Sequence, residues 1–319
     1  MINENAIDIK EEYIARLDSD LLKVLLFDRT SRQNIIWATD HYAERGLGFQ
    51  PDDYLEIQRI TGRNKNVIRP RIVKSKKEQS MRVKSKAEVF TPSWICNSQN
   101  NLVDETWFGV KNVFNTEMDK LWKTNPEKIV FPQGKTWQEY VRLKRMEITC
   151  GEAPYLVSRY DTVTGNEIEI HDRIGLLDRK LRIVNENTIT EEEWYKWAKI
   201  AFQSVYGFEY QGDNVLIARE NLLFSFSDYY KEKFNKETSK KMLLEISRII
   251  SWNIWQMDGL KYIIPLSDIK AVKSEQLALF DNDAIDRNAK DCGGVYCKIF
   301  DWGHDHSLLY KNLIKGDEK

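Results

Sequence analysis

The stretch Arg145–Leu156, RMEITCGEAPYL, constrains this chain most. Met146–Ile148 predicts a short apolar strand with Glu147 at its end, and Thr149-Cys150-Gly151 predicts a small-residue turn directly after it. A glycine in that place lets backbone approach a bound ligand, because no Cβ intervenes. Open α/β sheets bind ligands where a strand ends in such a turn, in the crevice outside the carboxyl ends of the strands.

The surrounding sequence repeats the alternation. Thr136-Trp137-Gln138-Glu139 has capping-box spacing and predicts a helix running toward Arg145. Thr190-Glu191-Glu192-Glu193 has it again and predicts a helix through about Gln203, followed by an apolar strand Val205–Phe208 that ends in Glu209. Asp213 is expected to cap the next helix, Asn214–Leu223. A helix near Thr238–Ile250 is expected to lead into a third apolar strand, Ile250–Gln256, closed by Asp258-Gly259. Strands alternating with helices imply an α/β fold with a mostly parallel sheet and helices on both faces.

Other segments are read more coarsely. Leu17, Leu21, Leu22, Val24 and Leu25 form a helical stripe in a helical and mixed region, 1–62. Pro92 suits the first turn of a helix, with Thr91 as its N-cap. Residues 106–135 are expected to be an inserted, Trp-containing surface segment, and 161–173 a hairpin around Thr164-Gly165-Asn166. Ile174, Leu177, Leu181 and Val184 recur at helical spacing, and 266–294 are polar and loop-like. The expected division is 1–86 as an N-terminal region, 87–265 as the cofactor-binding domain and 266–319 as a polar loop and tail.

Charge narrows the choice of partners. With 48 basic and 49 acidic residues, the chain as a whole has no nucleic-acid signature. Residues 63–86 depart from that balance, with Arg63, Lys65, Arg69, Arg71, Lys74, Lys76, Lys77, Arg82, Lys84 and Lys86 against one acid, Glu78. Such a run either neutralises nucleic-acid phosphates or serves as a solvated linker. No apolar run approaches the ~18 residues of a membrane span, and the first twenty residues are polar, so neither a span nor a secretory signal is expected. Four cysteines in 319 residues do not make a disulfide scaffold, which points to the cytoplasm. The ten tryptophans are expected chiefly as core filling, with base or cofactor stacking as the alternative.

Glu147, Glu209 and Asp258 stand at three predicted strand ends, and a parallel sheet is expected to aim all three into one crevice. Carboxylates there accept hydrogen bonds from a ribose diol or an amine. No GxxxxGK[ST] or GxGxxG is present, so a nucleoside without phosphates is favoured over ATP or NAD.

The order FTP, EITCGEAPYL, VYGFEYQGDNVLIARENLL, NIWQMDGL resembles the adenine-specific DNA methyltransferases that serve as modification subunits of restriction systems. The resemblance covers about residues 85–265. It implies a Rossmann-like fold and S-adenosylmethionine as cofactor. By resemblance, Phe90, Thr91 and Pro92 help to hold the methionine part of the cofactor, and Glu147, Thr149, Cys150 and Gly151 form its first motif. Glu209 corresponds to the ribose-binding acid and Asp258 to the residue that contacts adenine. Ala153 stands where the family usually has a second glycine. The family's catalytic tetrapeptide, Asp/Asn-Pro-Pro-Tyr/Phe, is absent from these 319 residues, and Lys298–Trp302 is similar to the stretch that precedes it. The resemblance therefore implies the cofactor-binding half of a DNA methyltransferase in a restriction-modification or mobile-element system. It would work with DNA and a second methyltransferase or specificity subunit. The alternatives are a non-catalytic DNA- or partner-binding module of that fold, and a nucleotide-dependent enzyme on a related sheet.

Four smaller features remain. Cys292, Cys297, His304 and His306 are a candidate zinc set, against ordinary tail and core residues. Asp301 and His304 can pair as acid and base. Cys150 is expected as a packing residue rather than a nucleophile, and His41 and His171 as structural residues.

Overall fold

The computed structural model describes residues 7–86, 88–269 and 293–314. Its organising element is a three-stranded parallel sheet of β3 (Arg145–Glu147), β4 (Val205–Glu209) and β5 (Ile254–Gln256), with β4 in the middle. Two antiparallel hairpins flank it in sequence, β1 (Asn115–Met118) with β2 (Leu121–Thr124) and β6 (Lys298–Asp301) with β7 (His306–Leu309). The helices are α1 (Glu11–Leu17), α2 (Ser19–Leu26), α3 (Ile57–Ile60), α4 (Lys76–Lys86), α5 (Ser93–Phe108), α6 (Trp137–Arg142), α7 (Leu176–Asn187), α8 (Glu191–Gln203), α9 (Gly212–Phe234), α10 (Lys240–Asn253) and α11 (Tyr310–Ile314). The chain is thus mixed α/β, and none of the described helices is long and apolar enough to cross a membrane.

Side chains alternate across a strand, so the sheet has two distinct faces. Val205 and Ile254 join the core built from α7, α8, α9 and α10. Tyr206, Phe208 and Trp255 point the other way, onto Cys297, Ile299 and Tyr310. The expectation of helices on both faces is corrected here: the β6–β7 hairpin and the short α11 cover the second face. Nor does packing follow a boundary at residue 86. One core runs from Ile14 through Leu22, Leu25 and Trp37 to Ile254. The Gln256 amide also clasps the Ile36 backbone, accepting from its N–H at 2.9 Å and donating to its C=O at 2.8 Å.

Local signals account for several elements. The Thr136 capping box closes as its spacing predicts, with Glu139 N–H donating to the Thr136 hydroxyl and Thr136 N–H to the Glu139 carboxylate. Thr190 caps α8, and the strand ending in Glu209 lies where its apolar run predicts. The loop around Thr164-Gly165-Asn166 is closed by a single bridge between Tyr160 and Glu167.

Other expectations give way to longer-range contacts. Thr91 does not cap α5. Pro92 holds that position, and the Asp161 carboxylate reaches across 68 residues to accept the Ser93 N–H at 2.7 Å. The third strand is only Ile254–Gln256, because Leu243, Ile246, Ile249 and Ile250 keep helical spacing and α10 continues to Asn253. There the Asn253 amide donates to the Phe202 and Val205 carbonyls and fixes the helix end against β4. Residues 106–135 are mostly exposed, and they are anchored to the core where Phe108 and Phe114 stack on Tyr140 and Phe131 packs on Phe108.

Candidate functional site

Beyond β3 the chain cannot continue as a strand, because it reverses within five residues. Thr149, Gly151 and Ala153 all take positive φ (48°, 53° and 63°), a conformation that costs a non-glycine residue about 1 kcal/mol or more. Two carboxylates hold this turn. Glu209, at the end of β4, accepts the Gly151 N–H at 3.1 Å on one oxygen and the Gln211 N–H at 3.1 Å on the other. Glu147, at the end of β3, accepts the N–H groups of Tyr155 (3.4 Å) and Leu156 (3.2 Å). Burial raises the carboxyl of Glu147 well above the usual range, with Glu209 adding to it, and burial raises Glu209 as well. These two acids therefore sit in a low-dielectric pocket where a donor-rich ligand would be favoured.

The turn forms one wall of a cleft of about 430 Å³, a size suited to a small ligand. Phe90 and Thr91 line it beside Glu147, Thr149, Cys150, Gly151 and Glu209. The Phe90 ring packs where a Cβ on Gly151 would lie 3.5 Å from it, and the Arg71 guanidinium covers the same ring at 5.2 Å. Cys150 faces Gly207 of β4, whose missing side chain makes room for the sulfur. Burial pushes its thiol well up, so it packs rather than attacks.

Two expected cofactor residues lie outside this wall. Pro92 is taken up by the start of α5. Asp258 is committed to the turn after β5, where it accepts the Leu260 and Lys261 N–H groups at 2.9 and 3.1 Å. Gly259 leaves room for the Phe208 ring rather than for a ligand. Two of the three strand-end acids therefore line the cleft, because the chain folds back on itself immediately after β5.

Val89, Ile148 and Pro154 also line the cleft, as do Glu88, Tyr155, Tyr210, Gln211 and Asn214, which the sequence did not single out. Their signal was positional: Glu88 stands two residues before Phe90, and Gln211 and Asn214 lie one helical turn apart at the start of α9. Glu88 Oε2 accepts from Arg82 Nε (2.6 Å), Gln211 Nε2 (3.0 Å) and Asn214 Nδ2 (3.4 Å). None of the described lining residues is Lys, Arg or His.

Behind the cleft lies a buried ion network. Asp213 meets Arg82 at 2.9 Å and Lys74 at 3.1 Å and accepts the Tyr42 hydroxyl at 2.7 Å. Those cations and hydrogen bonds outweigh burial and hold its carboxyl far below the usual range. Asp213 thus lies inside α9 as a charge partner rather than capping it. The same network corrects the reading of the basic run, since Lys74 and Arg82 are buried and paired inside the fold, away from any nucleic acid. Arg69 pairs with Glu78. Arg63, Lys65, Lys76, Lys77 and Lys84 are exposed, and the Lys86 side chain lies outside the described residues.

The described members of the candidate zinc set do not come together. Cys292 lies outside the described residues, Cys297 is buried beneath the sheet, and His304 and His306 stand exposed on the β6–β7 hairpin. Among the described residues no group of three or more His, Cys, Asp or Glu is placed to hold a metal ion. Asp301 and His304 meet at 2.9 Å on that exposed turn. Compared with family models, curated proteins and solved structures, the chain matches none of them.

Proposed function

We propose that the cleft binds S-adenosylmethionine and that the protein is a DNA adenine methyltransferase-like subunit with a Rossmann-like cofactor domain. One observation carries the reading: the Gly151 turn after β3 and Glu209 at the end of β4 meet through a 3.1 Å hydrogen bond at adjacent parallel strand ends. The cleft they border sets the acids Glu88, Glu147 and Glu209 among apolar and aromatic residues such as Val89, Phe90 and Ile148, with no described Lys, Arg or His. Such a lining suits a ribose diol and amines and disfavours phosphates. Phe90 and Thr91 stand beside the turn, as the resemblance implies for the methionine part.

Methyl transfer to adenine needs the base extruded and its amine positioned in line with the methyl sulfonium. No Asp/Asn-Pro-Pro-Tyr/Phe occurs in the 319 residues to do this. On this reading a second polypeptide supplies it, DNA is the substrate, and the exposed lysines of α4 help to hold it. The setting is the cytoplasm of a cell with a restriction-modification or mobile-element system, where the three described cysteines stay unpaired. The absent tetrapeptide also favours a second reading, a non-catalytic DNA- or partner-binding module that keeps the cofactor fold.

Calorimetric titration with S-adenosylmethionine and with ATP tests the cofactor. Micromolar binding of the first and none of the second is expected, and the reverse preference would overturn the reading. Transfer of a labelled methyl group to DNA, with and without a subunit carrying the tetrapeptide, separates the catalytic reading from the non-catalytic one.

A further inference from the structure

The parallel sheet covers one of its edges and leaves the other bare. Along β5 the outward carbonyls are met: Arg219 Nε donates to that of Ile254 at 2.8 Å, and the Cys297 thiol to that of Gln256 at 3.5 Å. Along β3 the Arg145 N–H donates inward, to the Ser204 carbonyl at 2.9 Å. Alternation along the strand therefore turns Arg145 and Glu147 toward β4, and turns the backbone groups of Met146 and Ile148 away from it. No described strand lies on that outer side, where Met146 is 39% and Ile148 67% exposed. Unpaired N–H and C=O groups on a sheet edge are a template for another chain. An apolar groove of about 170 Å³ lies beside the same edge, walled by Met146, Tyr206, Ile299, Phe300, Leu308 and Leu313. At the amino end of the edge Arg142 and Lys144 are exposed, and Lys144 reaches Asp301 only at 4.0 Å. At its carboxyl end Ile148 and Gly151 line the ligand cleft.

We propose that the bare edge of β3 receives an extended segment of a partner polypeptide as a fourth parallel strand. A row of backbone donors and acceptors is matched by another extended backbone, so the occupant is a strand rather than a helix or a small molecule. Alternate side chains of that strand fall on the Met146 side and enter the groove, so they are apolar. Its amino end passes the exposed Arg142 and Lys144 and is acidic there. The three strands already present run one way, and a strand added in the same direction brings its carboxyl end out beside Ile148, at the cleft. A second copy of this chain, related by a two-fold axis, would bring in its own β3 antiparallel and with a basic amino end. The inference rests on the two-polypeptide reading above for the partner, and it says where the two join.

The test titrates the full chain with a short synthetic peptide that alternates valine and threonine behind an aspartate-rich amino end. Followed by NMR, binding should slow exchange of the Met146 and Ile148 amides by about 10-fold or more, and leave that of Glu147, which faces β4, unchanged. A spin label at the peptide's carboxyl end should broaden the Gly151 amide, and one at its amino end the Lys144 amide. Met146→Pro removes an outward N–H without breaking a bond to β4, at a place where an edge strand tolerates proline. It should weaken the peptide by about 10-fold, the scale of one hydrogen bond, and Met146→Ala should weaken it less. Lys144→Glu should weaken it too, and stands in for the proline variant if thermal melts show that one unfolded. Unchanged Met146 and Ile148 amides at millimolar peptide would overturn the proposal, as would full affinity in folded Met146→Pro, or in Lys144→Glu where it stands in. The reverse pattern of broadening would overturn it as well. Self-association in sedimentation that Met146→Pro abolishes would overturn it by assigning the edge to a second copy. S-adenosylmethionine titrated into the same samples separates the two readings. Cofactor binding without peptide binding overturns this proposal alone, and peptide binding without cofactor binding overturns the cofactor reading alone.

Discussion

The Gly151 amide and the Glu209 carboxylate meet at 3.1 Å, although 58 residues separate them in the chain. The hydrogen bond ties the tightest turn in the cleft to the neighbouring strand end. Glu209 thus holds the turn and at the same time lines the cleft.

Glu209→Ala should weaken S-adenosylmethionine binding by about 1–3 kcal/mol, the cost of losing a charged acceptor. Glu209→Gln should recover part of this by keeping one acceptor for Gly151. Calorimetry gives the affinities, and full affinity in Glu209→Ala would remove Glu209 from the site.

Gly151→Ala acts on the same turn. At φ +53° an alanine costs about 1 kcal/mol through its backbone conformation, while its Cβ would meet the Phe90 ring at an ordinary 3.5 Å. Ala153→Gly, at φ +63°, should lie close to neutral, because relief of strain offsets the added freedom of the unfolded chain. Urea midpoints of the two variants should move apart by about 1 kcal/mol or more.

Asp213→Asn should cost about 3–5 kcal/mol, because it leaves Lys74 and Arg82 buried without their countercharge. The wild-type network also has an acid limit. The Asp213 carboxyl lies at 3.8 when unfolded and well below that in the fold. Its contribution is complete above the unfolded value and is lost as pH falls from there through the folded value. Chemical denaturation across that acid range should show the loss in the wild type and not in Asp213→Asn.

Glu11 of α1 and Glu220 of α9 give the opposite dependence. Burial, then Asp8, pushes Glu11 up to about 8 against its backbone hydrogen bond and Lys10. Burial, with Glu11 and Asp8, raises Glu220 well above the usual range. The folded state therefore keeps protons that the unfolded chain sheds above 4.5, and stability falls as pH rises from there to about 8. Glu11→Gln should flatten this slope and stabilise the protein by on the order of 2–4 kcal/mol near pH 8. Urea midpoints at the two ends of the range test it, and a slope equal to wild type would refute it.

The basic segment should divide in two. Replacing exposed Lys76, Lys77 and Lys84 by Ala should lower DNA affinity and reduce the salt slope by about 0.9 for each phosphate no longer neutralised. Lys74→Ala should lower stability instead, because its ammonium is buried against Asp213. Fluorescence titrations at several salt concentrations distinguish the two effects.

What could be read from the chain was local. The Thr136 capping box, the α7 stripe from Leu177 to Val184, and the strand ending in Glu209 each carry their signal within a dozen residues. Phe90 and Glu209 were singled out by motif order, and both line the cleft. The remainder depended on partners far away in sequence. Asp213 looks like a cap until Arg82, 131 residues earlier, is seen beside it. The buried face of α5 is polar, with Asn97, Asn101 and Asp104 gripping Arg179 of α7, so no apolar period could reveal it. Glu88, Gln211 and Asn214 carry no motif and become a group only when the chain after α4 meets the start of α9.

The clasp between Gln256 and Ile36 makes the cleft-lining loop after β4 hostage to the first sixty residues. Gly212 N–H donates to the Trp37 carbonyl at 3.0 Å, and a Cβ on Gly212 would strike the Ile36 carbonyl oxygen at 2.0 Å. The loop carrying Gln211 is therefore cast against the Ile36–Trp37 backbone as in a mould. Cutting the chain near residue 86 would expose the two buried polar atoms of Gln256 and leave that loop without its template. Hydrogen exchange should show the Ile36 and Gly212 amides opening together, and the excised 87–265 segment should lose ligand binding even where its sheet survives.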